Sequence, residues 1–191
     1  MKVFLLIIFG VFSSQQQSYP KQLVIRKDIF NLFKANEFSV YDQREQQLLY
    51  RVETQLNLLH RATIVASQAG NRIVARISGE FQWALYQATF QLLNPQTNQW
   101  QEGYIREQFQ WFYSKYLVGY QQQTFIFEGR SLISMRWYDQ RGNIIVGEYR
   151  RRFELALSSV YDLSIYDQRL PDPFYLIGLA VQQRKTEKKN N

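Results

Sequence analysis

The tetrapeptide Tyr-Asp-Gln-Arg occurs three times, at Tyr41–Arg44, Tyr138–Arg141 and Tyr166–Arg169, each time directly after a run in which apolar and polar residues alternate. An aspartate at the first corner of a tight turn accepts a hydrogen bond from the backbone two residues on, so the phrase is suited to reversing a strand. A chain punctuated in this way is constrained to an all-β meander of similar hairpins. Alternation of period two, the mark of strands with one buried face, is read at 22–26, 37–41, 47–53, 61–66, 72–78, 84–92, 99–106, 110–118, 124–128, 132–138, 143–149 and 160–165. Between the runs lie polar stretches rich in Gly, Asn or Pro: Ser67 to Asn71, Asn94 to Asn98 and Asp139 to Asn143. Those ending in Gly-Asn suit a type I turn closed by a residue at positive φ. About a dozen short strands do not remain one open sheet, so a barrel or sandwich is expected.

The end of the sequence breaks this pattern. Asp172 is a good N-cap and Pro173 suits the first helical position, where a missing N–H costs nothing. Phe174, Tyr175, Leu176, Ile177, Gly178, Leu179, Ala180 and Val181 then run apolar on every face of a helix. Such a helix must be buried on all sides, and the interior of the β-structure is the place for it. As a last strand the segment would be equally apolar. About nine residues are too few to cross a bilayer, which takes about 20.

At 191 residues the chain fits one domain with a core of its own. With 16% aromatic and 20% charged residues it is too apolar to be disordered. Domain limits are expected at 1–13 for a signal peptide, 14–21 for a polar linker, 22–183 for the β-domain and 184–191 for a basic disordered tail. The signal-peptide reading rests on Lys2, the apolar run Val3 to Phe12, and Val11 and Ser13 placed to fit a cut after Ser13. It implies secretion or an endomembrane lumen; without it the protein would be cytoplasmic or peripheral to a membrane. The absence of cysteine excludes disulfides and thiolate sites, and the single histidine, His60, excludes multi-histidine metal sites. His60 reads as a half-buried strand residue. No catalytic, cofactor or metal constellation stands out.

Two stretches resemble the tubby C-terminal-like superfamily, in the branch holding the LURP-one-related proteins and the phospholipid scramblases. Glu37-Phe38-Ser39-Val40-Tyr41-Asp42 with Leu49-Tyr50-Arg51-Val52 is similar to the first hairpin of that branch. Ile133 to Gly147, with Asp139, Gly142 and Ile145, then Tyr161 to Ile165 and Asp172 to Gln182, is similar to its last hairpin, strand and central helix. The resemblance implies a closed antiparallel barrel of about 12 strands around a hydrophobic C-terminal helix. Glu45 and Gln46 stand where the family usually turns on a glycine, which puts the turn type in question. No cysteine-rich acylated segment of the scramblase type is present, and the signal peptide is foreign to relatives that are mostly cytoplasmic.

The formal net charge of +7 narrows partners only to anions. The first functional expectation is a non-enzymatic module for anionic phospholipid or phosphoinositide headgroups, with Arg150, Arg151 and Arg152 as the candidate site. In a strand Arg151 faces opposite to its two neighbours, so at most two of the three share a face. A second expectation is a secreted carrier of a small apolar ligand, which requires that Phe174 to Val181 not occupy the cavity; a protein-interaction barrel stands beside it. A nucleic-acid surface built on Trp111, Phe112, Tyr113, Lys115 and Tyr116 is the third, although alternating aromatics are more often core than stacking platform. Specific nucleic-acid binding, catalysis, metals and cofactors are not expected, no transmembrane span is expected, and a monomer is. Asp42, Asp139 and Asp167 have a sufficient role in capping turns, and Glu148 and Glu154 read as charge partners of the arginines.

Overall fold

The computed structural model describes residues 19–28, 37–56, 60–82, 85–129, 134–153 and 159–190. The expected signal peptide and most of the linker lie outside them. Twelve strands follow one another: β1 (Lys21–Asp28), β2 (Glu37–Asp42), β3 (Leu48–Leu56), β4 (His60–Ala66), β5 (Arg72–Gln82), β6 (Leu85–Leu93), β7 (Trp100–Gln108), β8 (Ser114–Tyr120), β9 (Gln123–Gly129), β10 (Ser134–Asp139), β11 (Ile144–Arg152) and β12 (Val160–Ile165). A single helix, α1, spans Asp172–Asn190. Each strand pairs antiparallel with its neighbours in sequence, and β1 pairs with β12 from Lys21↔Ile165 to Arg26↔Val160, closing the barrel. Closure removes every open sheet edge. The expected barrel around a C-terminal helix is therefore the fold.

Several strands run a few residues beyond the sequence reading, as β3, β5 and β11 do at their C-terminal ends, and two differences are larger in consequence. The run 110–118 looked like one strand, but β8 begins at Ser114, and 109–113 form the connection from β7. Aromatic spacing imitated a strand where the side chains are outside the barrel. The helix runs to Asn190, through the stretch expected as a disordered tail. Lys, Arg, Glu and Gln are good helix formers, and cations in the last turns complement the helix dipole.

The tetrapeptide behaves as its chemistry demands at two of its three sites. Asp139 Oδ1 accepts from the Arg141 N–H at 2.9 Å and Asp167 Oδ1 from the Arg169 N–H at 3.0 Å. At Asp42 the loop is longer, and the acceptor takes Gln46 N–H at 2.7 Å and Gln47 N–H at 2.9 Å. The third copy closes no hairpin; it turns the chain from β12 into α1.

Glu45 occupies the position expected for a glycine and adopts a φ of 57°. Arg26 Nε donates to Glu45 Oε2 at 2.8 Å and Arg152 donates to Oε1 at 2.8 Å, while Arg152 also grips Asp162. These ion pairs offset the cost of a left-handed side chain. The Arg26 guanidinium, then that of Arg152, holds the Glu45 carboxyl below its ordinary range against the opposing effect of burial. A carboxyl depressed in the folded state contributes stability above its unfolded pKa and loses it as pH falls through the folded one. Glu45→Gln should therefore lower stability by about 1 kcal/mol at neutral pH, a value held down by solvent screening. The gap in Tm to the parent should close in acid, below the folded pKa, and a gap constant from neutral to acid would refute the ion-pair account.

The core is the barrel lumen, and α1 fills it. Alternate residues point inward, as with Tyr86, Ala88, Phe90 and Leu92 on β6 and Phe125 and Phe127 on β9. Phe174, Tyr175, Leu176, Ile177 and Ala180 are 0% exposed, and Leu179 and Val181 are buried. The Phe174 ring lies 4.8 Å from that of Trp137 and 4.9 Å from that of Phe125. Tyr149 Oη donates to the Tyr175 carbonyl at 2.6 Å, anchoring the helix to β11 by a buried polar contact. Asp172, expected as a cap, ties the helix start to the wall: its Oδ2 accepts from Lys21 Nζ at 2.6 Å and Tyr50 Oη at 3.1 Å. Burial, reinforced by that carboxylate, raises the Tyr50 phenol well above its usual pKa.

The antiparallel order gives the barrel two unlike ends. The links β2–β3, β4–β5, β6–β7, β8–β9 and β10–β11 gather at one end, with every left-handed residue among the described ones: Glu45, Gly70, Asn71, Asn98, Gln121, Gln122 and Asn143. This turn end is where α1 enters. Gln182, at Gly129 on the last residue of β9, has reached the opposite end.

Candidate functional site

Strand register places a polar groove on the outer wall of β3 to β7. One lateral row reads Glu53–Thr63–Arg76–Gln91–Glu102, each residue paired with the next across the sheet. The next row, toward the end opposite the turns (the loop end), reads Arg61–Ser78–Thr89–Tyr104. All these side chains alternate with inward residues, so they share the outer face. Between them lies a groove of about 520 Å³, and Ser78 and Thr89 also line a neighbouring depression of about 300 Å³ that reaches Arg106.

The arginines of this wall are presented rather than neutralised. The Arg76 guanidinium lies 4.9 Å from the Trp100 ring centroid and that of Arg106 is 4.9 Å from the Tyr104 ring centroid. Tyr104 can lie there because its cross-strand partner is Gly119, where a Cβ would come within 2.1 Å of the ring. Stacking fixes the plane of a guanidinium while leaving its N–H edge available to an oxyanion. Among the described residues, no ion pair holds Arg61, Arg76 or Arg106. Glu102 accepts from Gln91 Nε2 at 3.0 Å. The groove thus offers guanidinium donors, the hydroxyls of Thr63, Ser78 and Thr89, and the carboxylates of Glu53 and Glu102. Donors for anionic oxygens and acceptors for hydroxyls stand side by side.

The arginine run is differently disposed. Arg150 and Arg152 lie on the outer face of β11, while Arg151 has the inward parity of Tyr149. Arg150 pairs with Glu148 at 3.1 Å, and Glu148 also binds Arg136 at 2.8 Å. Arg152 is committed to Asp162 at 2.6 Å and Glu45 at 2.8 Å, contacts that keep it firmly charged. Arg150 is the exposed member, with 71% of its side chain accessible.

The aromatic stretch also divides. Tyr116 is core, Lys115 pairs with Glu128 at 3.5 Å, and Trp111 and Phe112 stand exposed in the β7–β8 connection. His60 is buried with Nδ1 2.5 Å from Tyr86 Oη, deeper than the half-buried strand position expected of it. Phe174 to Val181 occupy the lumen, which removes the cavity that an internal apolar ligand would need. No group of residues able to hold a metal ion occurs among the described residues, and no described helix is long and apolar enough to cross a membrane.

The described chain is a closed twelve-stranded barrel whose lumen is filled by its own C-terminal helix. The family model for LURP-one-related proteins matches residues 21–181, the whole barrel and the first half of the helix, and the chain belongs to that family. No curated protein and no solved structure matches the chain.

Proposed function

We propose that the protein is a non-enzymatic binding module whose outer-wall groove on β3 to β7 takes a phosphorylated polyol headgroup, of the kind phosphoinositides carry. The observation that supports this reading is the coexistence, in one groove, of Arg61 and Arg76 with three hydroxyls and two carboxylates. A phosphate ester accepts paired N–H bonds from a guanidinium, and such charge-assisted contacts are the strong ones. The free hydroxyls of a polyol donate to Glu53 and Glu102, which a simple dense anion such as sulfate would instead find repulsive. The mixed lining therefore favours a polyol phosphate over a bare anion. The +7 net charge draws anionic surfaces to the molecule without specifying the site.

The corresponding test is flotation of the protein with phosphatidylcholine vesicles, alone or carrying phosphatidylserine or a phosphoinositide, at physiological salt. Arg61→Gln with Arg76→Gln should reduce phosphoinositide-dependent recovery about tenfold or more, since each charged hydrogen bond is worth about 1.5–3 kcal/mol. Arg150→Gln should have a smaller effect that disappears with added salt, as for an exposed charge. Equal recovery of the double variant and the parent would sink the groove.

A further inference from the structure

Phe109, Trp111 and Phe112 are 63%, 83% and 95% exposed, in a connection only five residues long. Leaving three large rings in water forfeits the burial that drives folding, and nothing in the barrel's own packing calls for it. The rings are also organised: Phe109 and Trp111 meet edge to face with centroids 5.1 Å apart. Phe153, 81% exposed, follows the last residue of β11 at the same end. The opposite end carries polar turns and the exposed Tyr19, Ile144 and Tyr166, with Trp100 under the Arg76 guanidinium, and no two of these rings make a ring contact like that of Phe109 with Trp111 among the described residues.

Charge accompanies the rings. Helix α1 enters at the turn end and reaches Gly129 by Gln182, so its last eight residues continue past the rim by about 12 Å on the same side as the β7–β8 connection. Those residues include Arg184, Lys185, Lys188 and Lys189 against a single acid, Glu187. Exposed aromatics beside a basic helical segment match a bilayer interface, where aromatic rings sit at headgroup depth and each Lys or Arg near an anionic surface adds about 1 kcal/mol. A protein partner is less well matched. Three rings offer roughly 500 Å² at about 150–250 Å² each, short of the roughly 800 Å² per side of a stable interface.

We infer that the β7–β8 connection is a membrane-insertion tip: Phe109, Trp111 and Phe112 enter the interfacial layer of an anionic bilayer, docking the barrel loop end down. This rests on the lipid-surface reading above and adds the orientation of the barrel, with the groove on β3 to β7 brought alongside the headgroup layer.

Tryptophan quenching by brominated phosphatidylcholine in phosphatidylserine-containing vesicles tests it, with Trp111→Phe as a variant that keeps the tip apolar and removes its reporter. Strong quenching in the parent that is largely lost in Trp111→Phe is the expected result, with Trp111→Ser and Phe112→Ser together weakening partitioning about tenfold or more. Binding without Trp111-dependent quenching, or partitioning unaffected by the serine pair, would overturn the tip while leaving the groove intact. If vesicles are not bound at all but soluble inositol trisphosphate binds and the binding is lost in Arg61→Gln with Arg76→Gln, the tip falls and the groove stands. If neither probe binds, both readings fall. Self-association in vesicle-free solution that the serine pair abolishes would also overturn the tip, in favour of a protein contact.

Discussion

Phe174→Ala should destabilise the protein by about 3–5 kcal/mol, the cost of deleting a large ring from a core that cannot collapse around the space. Phe174 is fully buried, and its ring contacts those of Phe90, Tyr120, Phe125, Trp137 and Tyr175. These neighbours come from four strands and the helix itself, so relaxation toward the void would disturb several parts of a closed wall at once. Denaturant unfolding measures the effect directly, and a loss under about 1 kcal/mol would mean that α1 is not the organising element of the core. The same variant separates the filled barrel from an apolar carrier. A carrier that kept a ligand in its lumen would gain room for it, whereas this barrel should only lose stability.

Gly178→Val should destabilise by about 1–3 kcal/mol for the opposite reason. A Cβ at Gly178 would lie 2.9 Å from the tip of the Phe127 ring and 3.0 Å from Trp137, both buried rings that are themselves packed at 4.7 Å. Glycine here lowers helix propensity by about 1 kcal/mol relative to alanine, yet it lets the helix approach the aromatic wall. Gly178→Ala then sets the two effects against each other. It should gain less than its propensity value, and a full gain of about 1 kcal/mol in thermal or denaturant unfolding would show that the approach is not tight. Loss of stability in the valine variant should come without loss of β content until the transition, because the barrel is closed by its own strand pairing.

Much of this architecture was written in the sequence. Period two survives in nearly every strand because one face of the barrel is always wet, and the all-apolar segment from Phe174 had only one dry place to go. The exceptions are instructive. The aromatics from Trp111 to Tyr116 make 110–118 look like one strand; only the barrel's geometry shows that Ser114 begins β8, with Ser114, Tyr116 and Val118 facing in. Glu45 at positive φ could not be anticipated, since its compensation comes partly from Arg152, 107 residues away. The candidate site was the least legible part. Arg150, Arg151 and Arg152 draw attention by adjacency, but neighbours in a strand face opposite ways, and Arg152 is already committed to Asp162 and Glu45. Arg61 and Arg76 are single arginines in separate strands. They meet at one groove only through the register Arg61↔Ser78 and Thr63↔Arg76, which no local pattern reports.

The most direct test of the outer-wall site is a titration of isotope-labelled protein with soluble inositol trisphosphate, followed by amide and arginine side-chain chemical shifts. The account predicts saturable shifts centred on Thr63, Arg76, Ser78 and Thr89, with the Arg61 and Arg76 guanidinium signals moving and those of Arg152 unchanged. Shifts centred on Arg150, or a diffuse response across all exposed cations that vanishes at physiological salt, would contradict it.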